Sequence, residues 1–315
     1  MGKNHKIGIA GFGSIGKRHL SNIINVLDNK GYSYTIDLIR TGNGQVLDEG
    51  VSSRIHQIYY GSQQIPDDYD VIFVTNPTHL HYETVKFFAP KTSHMFIEKP
   101  VFDKFDLSVE ELSLKNDGVY YVACPLRYTG VIQYLKNNGH VESVYSARVI
   151  SSSYLPDWRP NIDYRTTYSA SAEQGGGVSK DIIHEWDYLY YLFGYPEQVL
   201  NIRGKFSALQ ISSDDLSIYI AKYKKMAVEV HLDYFGRVPI REIQLFTEED
   251  IIIGDLIHSQ VRYLKSGSVF SFHEWRNDYQ VKEIEYFFDI LEGNVVNHND
   301  ITTAMNILRI AQTET

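Results

Sequence analysis

Up to about residue 123, short apolar runs alternate with segments whose apolar residues recur at helical spacing. Strands that alternate with helices are typical of a parallel, doubly wound sheet. The apolar runs predict strands at residues 6–10, 34–39, 70–75, 95–97 and 120–123, and the segments between them predict helices at 14–27, 82–88 and 108–116. We therefore predict an α/β protein that begins with a doubly wound, parallel-sheet domain over residues 1–122.

The pattern changes after residue 123, where apolar and polar residues alternate one by one. Strands of this kind usually pair in antiparallel fashion. The pattern predicts strands at residues 141–152, 199–209, 216–223, 227–234 and 242–246, and helices at 131–137, from Gly177 to Gly194, at 281–291 and at 301–311. We therefore predict a second, α+β domain over residues 123–315, whose last helix packs back on the first domain.

A glycine-rich turn, Gly11-Phe12-Gly13-Ser14-Ile15-Gly16, follows the first predicted strand and opens the first predicted helix. In a nucleotide-binding turn of this pattern, Gly11 allows the tight bend, Gly13 lets the backbone approach a pyrophosphate, and Gly16 lets helix and strand pack closely. The N-terminus of the helix favours the phosphate charge. The position of the turn after an N-terminal strand favours a dinucleotide site over an ordinary structural turn.

The end of the second predicted strand bears on the choice of cofactor. A carboxylate there binds the ribose hydroxyls of NAD, whereas a nearby arginine accommodates the 2′-phosphate of NADP. This chain has Arg40-Thr41 at that position, and Asp37 lies earlier in the strand. The sequence therefore favours NADP over NAD. The alternative is that Arg40 is a solvated strand-end residue that stacks on adenine.

Two other predicted strands end in polar segments. Asn76-Pro77-Thr78-His79-Leu80-His81 follows the strand at 70–75, and Glu98-Lys99-Pro100 follows the strand at 95–97. A lysine fixed where a strand of a cofactor domain stops is a candidate proton donor, although Lys-Pro pairs also simply punctuate strand ends. In the second domain, the stretch from Gly175 to His184 contains three successive glycines followed by Asp181 and His184.

Composition limits the classes of function. The length of 315 residues corresponds to about two domains, and the contents of 43% hydrophobic and 22% charged residues are those of an ordinary globular protein. The net charge of −9 opposes binding to nucleic acids and anionic membranes. The single cysteine, Cys124, and the lack of a signal-peptide pattern predict a cytoplasmic protein. The 12 scattered histidines predict no metal site, and no Gly-x-Ser-x-Gly motif indicates a hydrolase.

The ordered motifs resemble the glucose-fructose oxidoreductase, inositol dehydrogenase and rhizopine-catabolism (Gfo/Idh/MocA) family. The resemblance covers nearly the whole chain and rests on residues 11–16, 76–81, 98–100 and 175–187. It implies a Rossmann domain followed by a domain with a large, mostly antiparallel open sheet that serves oligomerisation, and hence a homodimer or homotetramer. It also implies hydride transfer between NAD or NADP and a carbohydrate hydroxyl or ketone.

The resemblance also implies residue roles. Lys99, Asp181 and His184 correspond to the family's catalytic residues. Many members place the histidine four residues after the aspartate, whereas three separate them here; both spacings keep the pair on one face of a helix, which Asp187 continues. The residues expected to bind the cofactor are Gly11, Phe12, Gly13, Ser14, Ile15, Gly16, Arg40, Thr41, Asn76, Pro77, His81, Glu98 and Lys99.

The chemistry of alcohol oxidation requires the same residue types. His184 has a pKa suited to proton exchange near neutrality, Lys99 can hydrogen-bond or protonate the substrate oxygen, and Asp181 can orient a sugar. The alternative for His184 is a core histidine that is hydrogen-bonded across a helix. Further candidates for substrate contact are Arg127, Tyr164, Arg165 and Tyr168. A structural salt bridge is an equal alternative for Arg127, and a solvated loop is an equal alternative for the other three.

The sequence thus predicts an NAD(P)-dependent oxidoreductase that acts on a sugar or sugar derivative. A sugar, a nucleotide-activated sugar and a nonulosonic acid all fit as substrates, in either direction of reaction. The alternative is a regulator or sensor of the same fold that binds the cofactor without turnover. The joint presence of Lys99, Asp181 and His184 favours the enzyme, because a sensor has no need of a proton-transfer set.

Overall fold

A computed structural model describes residues 4–42, 47, 49–61 and 64–313. The chain forms two compact units. The first contains the described residues up to Ala123 together with Gln280–Met305, and the second contains Cys124–Tyr279 and the residues from Asn306 onward. The prediction of residues 123–315 as one continuous domain therefore missed the return of residues 280–305 to the first unit.

The first unit is built on a six-stranded sheet in which every neighbouring pair is parallel. Its strands are β1 (Asn4–Ala10), β2 (Ser33–Arg40), β3 (Gln57–Tyr60), β4 (Tyr69–Val74), β5 (Thr92–Ile97) and β6 (Tyr120–Val122). The helices between them are α1 (Ser14–Lys30), α2 (Glu49–Ser52) and α3 (His81–Phe88). The order β3-β2-β1-β4-β5-β6 reverses direction between β1 and β4, which is the switch point where such sheets bind ligands. The predicted doubly wound sheet is confirmed.

Helix α1 forms because its apolar residues recur every three or four positions and face the sheet. Leu20, Ile23 and Leu27 are all at most 3% exposed. The helix ends at Gly31, whose φ of 67° is left-handed and whose N–H donates to the carbonyl of Asp28. This helix carries the glycine turn at its N-terminus.

The predicted helix at 108–116 is wrong. A single short 3-10 turn, Glu110–Leu112, occupies this region, and Ser113 has a φ of 51°, which helices do not accommodate. Leu112 is the only buried residue of the turn. A segment with one apolar anchor has no stripe to bury, so packing does not stabilise a longer helix.

The second unit contains an eight-stranded sheet that is antiparallel except for one central parallel pair. Its helices are α4 (Gly130–Asn137), α5 (Val178–Asp181) and α6 (His184–Phe193). Its strands are β7 (Val144–Tyr154), β8 (Gln198–Gly204), β9 (Leu216–Lys222), β10 (Ala227–Asp233), β11 (Phe235–Thr247), β12 (Ile251–Asp255), β13 (Gln260–Tyr263) and β14 (Val269–Ser271). The predicted, mostly antiparallel sheet is confirmed, although β12 to β14 were not predicted.

The chain then returns to the first unit through α7 (Asp278–Leu291) and ends with α8 (Ile301–Ala311). Phe287 of α7 packs against Phe73 and Phe96, with ring centres 5.8 and 5.4 Å away. Most of α7 and the first residues of α8, Ile301–Met305, therefore belong to the first unit, to which only the last helix had been expected to return. Among the described residues, no helix is both long and apolar enough to cross a membrane.

Candidate active site

The turn between β1 and α1 depends on close approaches at two glycines. Gly11 has a φ of 98°, and a Cβ there would lie 2.6 Å from the main chain of Asn76. A Cβ on Gly16 would lie 2.6 Å from the carbonyl oxygen of Gly11. A Cβ on Gly13, by contrast, would meet no atom within 4 Å. The turn is therefore packed at both ends and open at Gly13.

The open position coincides with the N-terminus of α1. No side chain caps this helix, and its first turn contains no acidic residue. Unpaired N–H groups and the positive end of the helix dipole at such a position favour an anion. Around Gly13, Ser14 is exposed, and Phe12 and Ile15 are half-buried. The residues of the turn thus fit the phosphates of a dinucleotide.

The loop after β4 is bonded to the glycine turn across the switch point. The N–H of Thr75 donates to the carbonyl of Ala10 at 2.8 Å, and its hydroxyl donates to that of Gly11 at 2.7 Å. The side-chain amide of Asn76 donates to Thr84 at 2.7 Å, whereas its Oδ1 is buried and has no hydrogen-bond partner in the described part of the chain. A buried acceptor of this kind suits a polar ligand. The next residue, Pro77, is exposed.

His81 joins the loops that follow β4 and β5. Its Nε2 lies 2.9 Å from the carbonyl oxygen of Asn76, and its Nδ1 lies 3.0 and 3.1 Å from those of Pro100 and Val101. Burial lowers the pKa of His81, although these carbonyls oppose the shift. Because both ring nitrogens face the protein's own carbonyl oxygens, the structure does not support the predicted cofactor contact of His81. The buried ring lies between the two loops, and its single N–H donates to one of them.

Glu98 and Lys99 follow β5 at the same edge of the sheet. Oε1 of Glu98 lies 2.6 Å from Nε2 of His19, and its Oε2 accepts the main-chain N–H of Lys99 at 3.1 Å. Burial raises the pKa of Glu98, but the hydrogen bond and charge of His19, with smaller contributions from Lys99 and His81, bring it below its ordinary value. Glu98 is thus an internal carboxylate of the loop, whereas the Lys99 side chain is half-buried.

Arg40 and Thr41 lie at the end of β2, where the sequence placed the ribose contact. Arg40 is half-buried and Thr41 is exposed. Asp37 is 1% exposed, and its carboxylate is bonded to His56 at 3.0 Å and to the hydroxyl of Tyr69 at 2.9 Å. The only carboxylate of β2 is therefore engaged inside the unit, and Arg40 remains the polar side chain nearest the strand end.

In the second unit, two glycines allow close packing before the Asp181 segment. A Cβ on Gly176 would lie 2.1 Å from the carbonyl oxygen of Tyr168, and one on Gly177 would lie 2.2 Å from the carboxylate of Asp214. Gly177 also has a φ of 126°. The freed space lets Asp214 accept the N–H groups of Val178, through its carbonyl at 3.0 Å, and of Ser179, through its carboxylate at 2.9 Å. Asp214 thereby fixes the start of α5.

The predicted continuous helix after Gly177 is interrupted. α5 ends at Asp181 and α6 begins at His184, and the residues between them form a turn in which the N–H of Ile183 donates to the carbonyl of Lys180 at 3.3 Å. The sequence had indicated that Asp181 and His184 share one face of a single helix, and the structure shows that they do not. Asp181 is the last residue of α5 and His184 is the first residue of α6, and the two-residue turn between them sets their relative position.

Asp181 is 7% exposed and is held by tyrosines. The hydroxyl of Tyr234 donates to its Oδ2 at 2.6 Å, and the hydroxyl of Tyr168 bonds to the same side chain. Burial raises the pKa of Tyr234 well above its usual value, and the charge of Asp181 adds to the shift. Tyr234 is consequently a permanent donor that orients Asp181. His184, three residues further along the chain, is half-buried.

Arg127 and Asp187 form a buried ion pair. Nε and Nη2 of Arg127 donate to the two carboxylate oxygens of Asp187 at 2.9 and 2.8 Å, and the side chains are 1% and 9% exposed. The guanidinium also lies 5.2 Å from the ring centre of Tyr191. This bidentate geometry favours the structural salt bridge, the alternative that the sequence left open, over the substrate contact of Arg127. The pair joins α6 to the turn that precedes α4.

The loop of residues 155–168, defined here as the aromatic loop, contains the remaining predicted substrate contacts. Arg165 is exposed and is bonded to Asp163 and, at 3.0 Å, to the side chain of Gln210. The hydroxyl of Tyr164 accepts the N–H of Gln210 at 3.2 Å. Tyr168 is the member of this loop that reaches Asp181. The structure thus links the loop to the Asp181 segment through Tyr168.

Sequence reasoning missed three residues that support these groups: His19, Asp214 and Tyr234. Each lies far along the chain from the group that it bonds, and none belongs to a motif that the sequence analysis used. His19 alone gave a usable signal, because it follows the glycine turn by three residues on the buried side of α1. A buried histidine at that place indicates a polar partner.

The sheet order, the glycine turn at the switch point and the open helix N-terminus define a dinucleotide-binding protein with a Rossmann domain. Residues 5–113 match the Gfo/Idh/MocA family described as an oxidoreductase family with an NAD-binding Rossmann fold. The Rossmann domain of residues 5–113 thus belongs to this oxidoreductase family, which confirms the resemblance that the motifs indicated.

Named relatives agree with this assignment. The uncharacterised oxidoreductase YrbE of Bacillus subtilis is 30% identical over 220 residues, which are 66% of this chain and 59% of the relative. Myo-inositol 2-dehydrogenase of Thermotoga maritima is 25% identical over 240 residues, 71% of this chain and 67% of the relative. Among solved structures, levoglucosan dehydrogenase in complex with NADH aligns with a TM-score of 0.81 at 16% identity, over 98% of this chain and 94% of the other. This last similarity concerns the fold alone.

Proposed function

We propose that the protein is a nicotinamide-dependent oxidoreductase that transfers a hydride between NAD(P) and a CH–OH or ketone carbon of a sugar or sugar derivative. The observation that carries the proposal is the carboxyl edge of the first sheet. There the glycine turn follows β1 and the loop with Lys99 follows β5, and β4 lies between these two strands. The names of two similar proteins, a myo-inositol 2-dehydrogenase and a levoglucosan dehydrogenase, support this substrate class.

The residues of this edge fit a dinucleotide. The N-terminus of α1 and the open space beside Gly13 would receive the pyrophosphate, and the buried Oδ1 of Asn76 would accept a hydrogen bond from the carboxamide or ribose of the nicotinamide half. When bound, the nicotinamide supplies or accepts the hydride. The protein provides the position of the cofactor and the movement of the accompanying proton.

We assign that proton to Lys99. Its Nζ gives a proton to the substrate oxygen when a ketone is reduced, and accepts it when an alcohol is oxidised. In the second unit, His184 exchanges a proton with the substrate hydroxyl or with water. Asp181, which Tyr234 holds in place, hydrogen-bonds the sugar and orients its reacting carbon. Tyr164, Arg165 and Tyr168 of the aromatic loop remain proposed substrate contacts.

Two predicted contacts change role in this proposal. His81 acts as a positioning residue, because its buried ring lies between the loops of Asn76 and Lys99. Glu98 is likewise assigned to the support of Lys99, because its carboxylate is engaged with His19 and with the N–H of Lys99. Both residues act on the cofactor through the groups that they hold.

The cofactor phosphate is a finer question. We favour NADP, because Asp37 is engaged with His56 and Tyr69 and Arg40 is the cation at the end of β2. A 2′-phosphate gains from a cation at that position, and a free ribose needs a carboxylate that β2 does not offer. Replacement of Arg40 by aspartate should shift the ratio of the dissociation constants of NADPH and NADH toward NADH by about 10-fold or more. An unchanged ratio would remove the argument for the phosphate.

We also propose a homodimer or homotetramer that forms through the open face of the second sheet and works in the cytoplasm. On that face, Leu200 pairs with Ile220 and Ile202 pairs with Ile218 across β8 and β9. Leu200, Ile202 and Ile220 are 50%, 62% and 49% exposed. Light scattering of the purified protein and of Ile202→Lys tests this association, because a buried lysine in an apolar contact would favour the monomer.

The test of the function is a fluorescence titration with NADPH and NADH, followed by a screen of sugars and activated sugars for a change in nicotinamide absorbance. Binding with turnover is the expected result. Gly13→Ala should weaken binding by about 10-fold or more, because its Cβ would occupy the space of the phosphates while meeting no protein atom. Gly50→Ala, which also meets no atom within 4 Å, is the matched control.

Three outcomes would oppose the proposal or one of its parts. Tight binding without turnover on any sugar would favour the sensor of the same fold. No binding of either nucleotide would remove the cofactor assignment itself. If Gly13→Ala binds the nucleotides as tightly as the wild-type protein, the glycines serve the fold alone, and their proposed contact with the cofactor is contradicted.

A further inference from the structure

One buried contact joins the helix of the glycine turn to the loop of Lys99. Nε2 of His19, in the second turn of α1, lies 2.6 Å from Oε1 of Glu98. The His19 side chain is 2% exposed and that of Glu98 is 13% exposed. A contact this short between an imidazole and an ionised carboxylate, shielded from water, is a charge-assisted hydrogen bond in which Nε2 donates.

The surroundings of His19 are aromatic. Its ring lies 5.0 Å from that of Phe96 in an edge-on arrangement and 6.0 Å from that of Phe73. Its Nδ1 is buried without a hydrogen-bond partner in the described residues. A leucine or phenylalanine would fill such a place without the cost of desolvating an imidazole. The contact with Glu98 is therefore the feature that sets histidine apart here.

Glu98 transmits this contact to Lys99. One carboxylate oxygen is bonded by His19 and the other by the main-chain N–H of Lys99, while the N–H of Glu98 itself donates to the carbonyl of Val74 at 2.9 Å. Glu98 is thus held through its carboxylate from α1 and its own loop, and through its main chain from β4. The groups that act on its ionisation are His19, Lys99 and His81. An anion held beside Lys99 favours the ammonium form of that lysine.

We propose that His19 is a positioning residue of the reaction: by holding Glu98 in place as an anion, it orients the loop of Lys99 and keeps Lys99 protonated. The same helix is proposed to bind the cofactor phosphates. The contact between His19 and Glu98 therefore connects the phosphate site to the proton donor. The inference rests on the proposed function of Lys99. It adds a residue that contacts neither the substrate nor the cofactor and acts only through Glu98.

The experiment compares His19→Leu with His19→Gln in the full chain. The amide of glutamine reaches the position of Nε2 and keeps a donor for Glu98, whereas leucine removes it. The lysines are labelled with 13C-methyl groups, Lys99 is assigned by its absence in Lys99→Arg, and its pKa is measured by NMR. We expect the pKa of Lys99 to fall by about one unit in His19→Leu, with little change in His19→Gln.

Activity provides the second readout. For ketone reduction, the alkaline limb of the kcat profile should move to lower pH in His19→Leu, because Lys99 loses its proton earlier, while the dissociation constant of the cofactor changes by less than a few-fold. Combining His19→Leu with Glu98→Gln should add little to the effect of Glu98→Gln alone, since His19 acts through that carboxylate.

The outcomes separate this inference from the proposed function. An unchanged pKa of Lys99 in His19→Leu, or equal effects of leucine and glutamine, would overturn the role of His19 even if the enzyme turns over. If His19→Leu does not fold, Glu98→Gln alone must lower the pKa of Lys99, and its failure to do so overturns the inference. Absence of turnover in the wild-type protein would instead contradict the proposed function. The two failures can be told apart, because the NMR titration of Lys99 needs no substrate.

Discussion

Two regions of the molecule are held in place by different means. The first is the cofactor edge, which we define as the loops after β1, β4 and β5 that are proposed to hold the cofactor, and the second is the Asp181 segment, residues 177–184 of the second unit. At the cofactor edge, the loops after β1, β4 and β5 are joined mainly through main-chain groups, such as the carbonyls of Asn76 and Pro100 on His81. The Asp181 segment is held by side chains from distant connections, Asp214 between β8 and β9 and Tyr234 between β10 and β11. The first arrangement follows from strand order, whereas the second requires particular tertiary partners.

The largest expected effect concerns chemistry at the cofactor edge. Lys99→Ala should lower kcat by about 10³-fold, because the proposed proton donor is lost, while cofactor affinity stays within a few-fold. Single-turnover absorbance and a nucleotide titration measure the two quantities. Lys104→Ala, an exposed lysine five residues along, serves as the control. Weaker cofactor binding with an unchanged rate of hydride transfer at saturating cofactor would show that Lys99 serves the cofactor instead.

The next effect tests the long-range support of the second unit. Arg127→Met leaves the Asp187 carboxylate buried without its bidentate partner, so the free energy of unfolding should fall by about 3–5 kcal/mol. Arg127→Met with Asp187→Leu should recover much of that loss. Arg165→Met removes an exposed, solvent-screened ion pair and should change the free energy of unfolding far less. Chemical denaturation measures all three, and similar losses for Arg127 and Arg165 would contradict the contrast.

A smaller effect is expected at the start of α5. Gly177→Ala combines a φ of 126° with a Cβ that would lie 2.2 Å from the Asp214 carboxylate, so the Asp181 segment must shift. We expect kcat to fall by about 10²-fold with cofactor affinity unchanged. Gly139→Ala, with a φ of 73° and no atom within 4 Å of its Cβ, brings strain without the clash. Equal kcat values for the two variants would show that the Asp214 contact does not position Asp181.

The smallest effect is a pH dependence at the cofactor edge. The folded protein lowers the pKa of Glu98 below its ordinary value of 4.5, because His19 outweighs the effect of burial. The resulting stability is present above pH 4.5 and is lost as the pH falls toward the lowered pKa. Relative to Glu98→Gln, the unmodified protein should therefore gain about 1 kcal/mol at neutral pH and lose this advantage in acid. Urea unfolding at several pH values measures it, and a constant difference would contradict the pairing.

The sequence predicted the cofactor edge well because its elements are local. The glycine turn, Asn76 and Lys99 each follow a short apolar strand, and parallel strands bring their carboxyl ends to one edge. The sequence could not show which partners the polar side chains at this edge bond to in the folded protein. The imidazole of His81 and the carboxylate of Glu98 look like ligand contacts in a motif, yet both are engaged by partners that only the folded sheet brings near.

The Asp181 segment shows the opposite limit. Its glycines and its two polar residues were found, but periodicity predicted one helix because Trp186, Leu189 and Leu192 lie at helical spacing. The interruption at Ile182 and Ile183 has no signal in a local pattern. Likewise, Arg127 could be paired with Asp187 only after α6 was placed against the turn before α4, since 60 positions separate them.

The connection between β8 and β9 holds the end of the aromatic loop and the residues that follow it. Ser213 donates to the carbonyl of Ser169 at 2.6 Å, Ser212 donates to that of Ala170 at 2.9 Å, and Gln210 contacts Arg165. Residues 160–163 are exposed, whereas the ring of Trp158 packs against that of Tyr234, with ring centres 5.1 Å apart. Under the proposed function, exchanging residues 160–163 for those of a relative is therefore a route to altered sugar selectivity that spares the tyrosine bonded to Asp181.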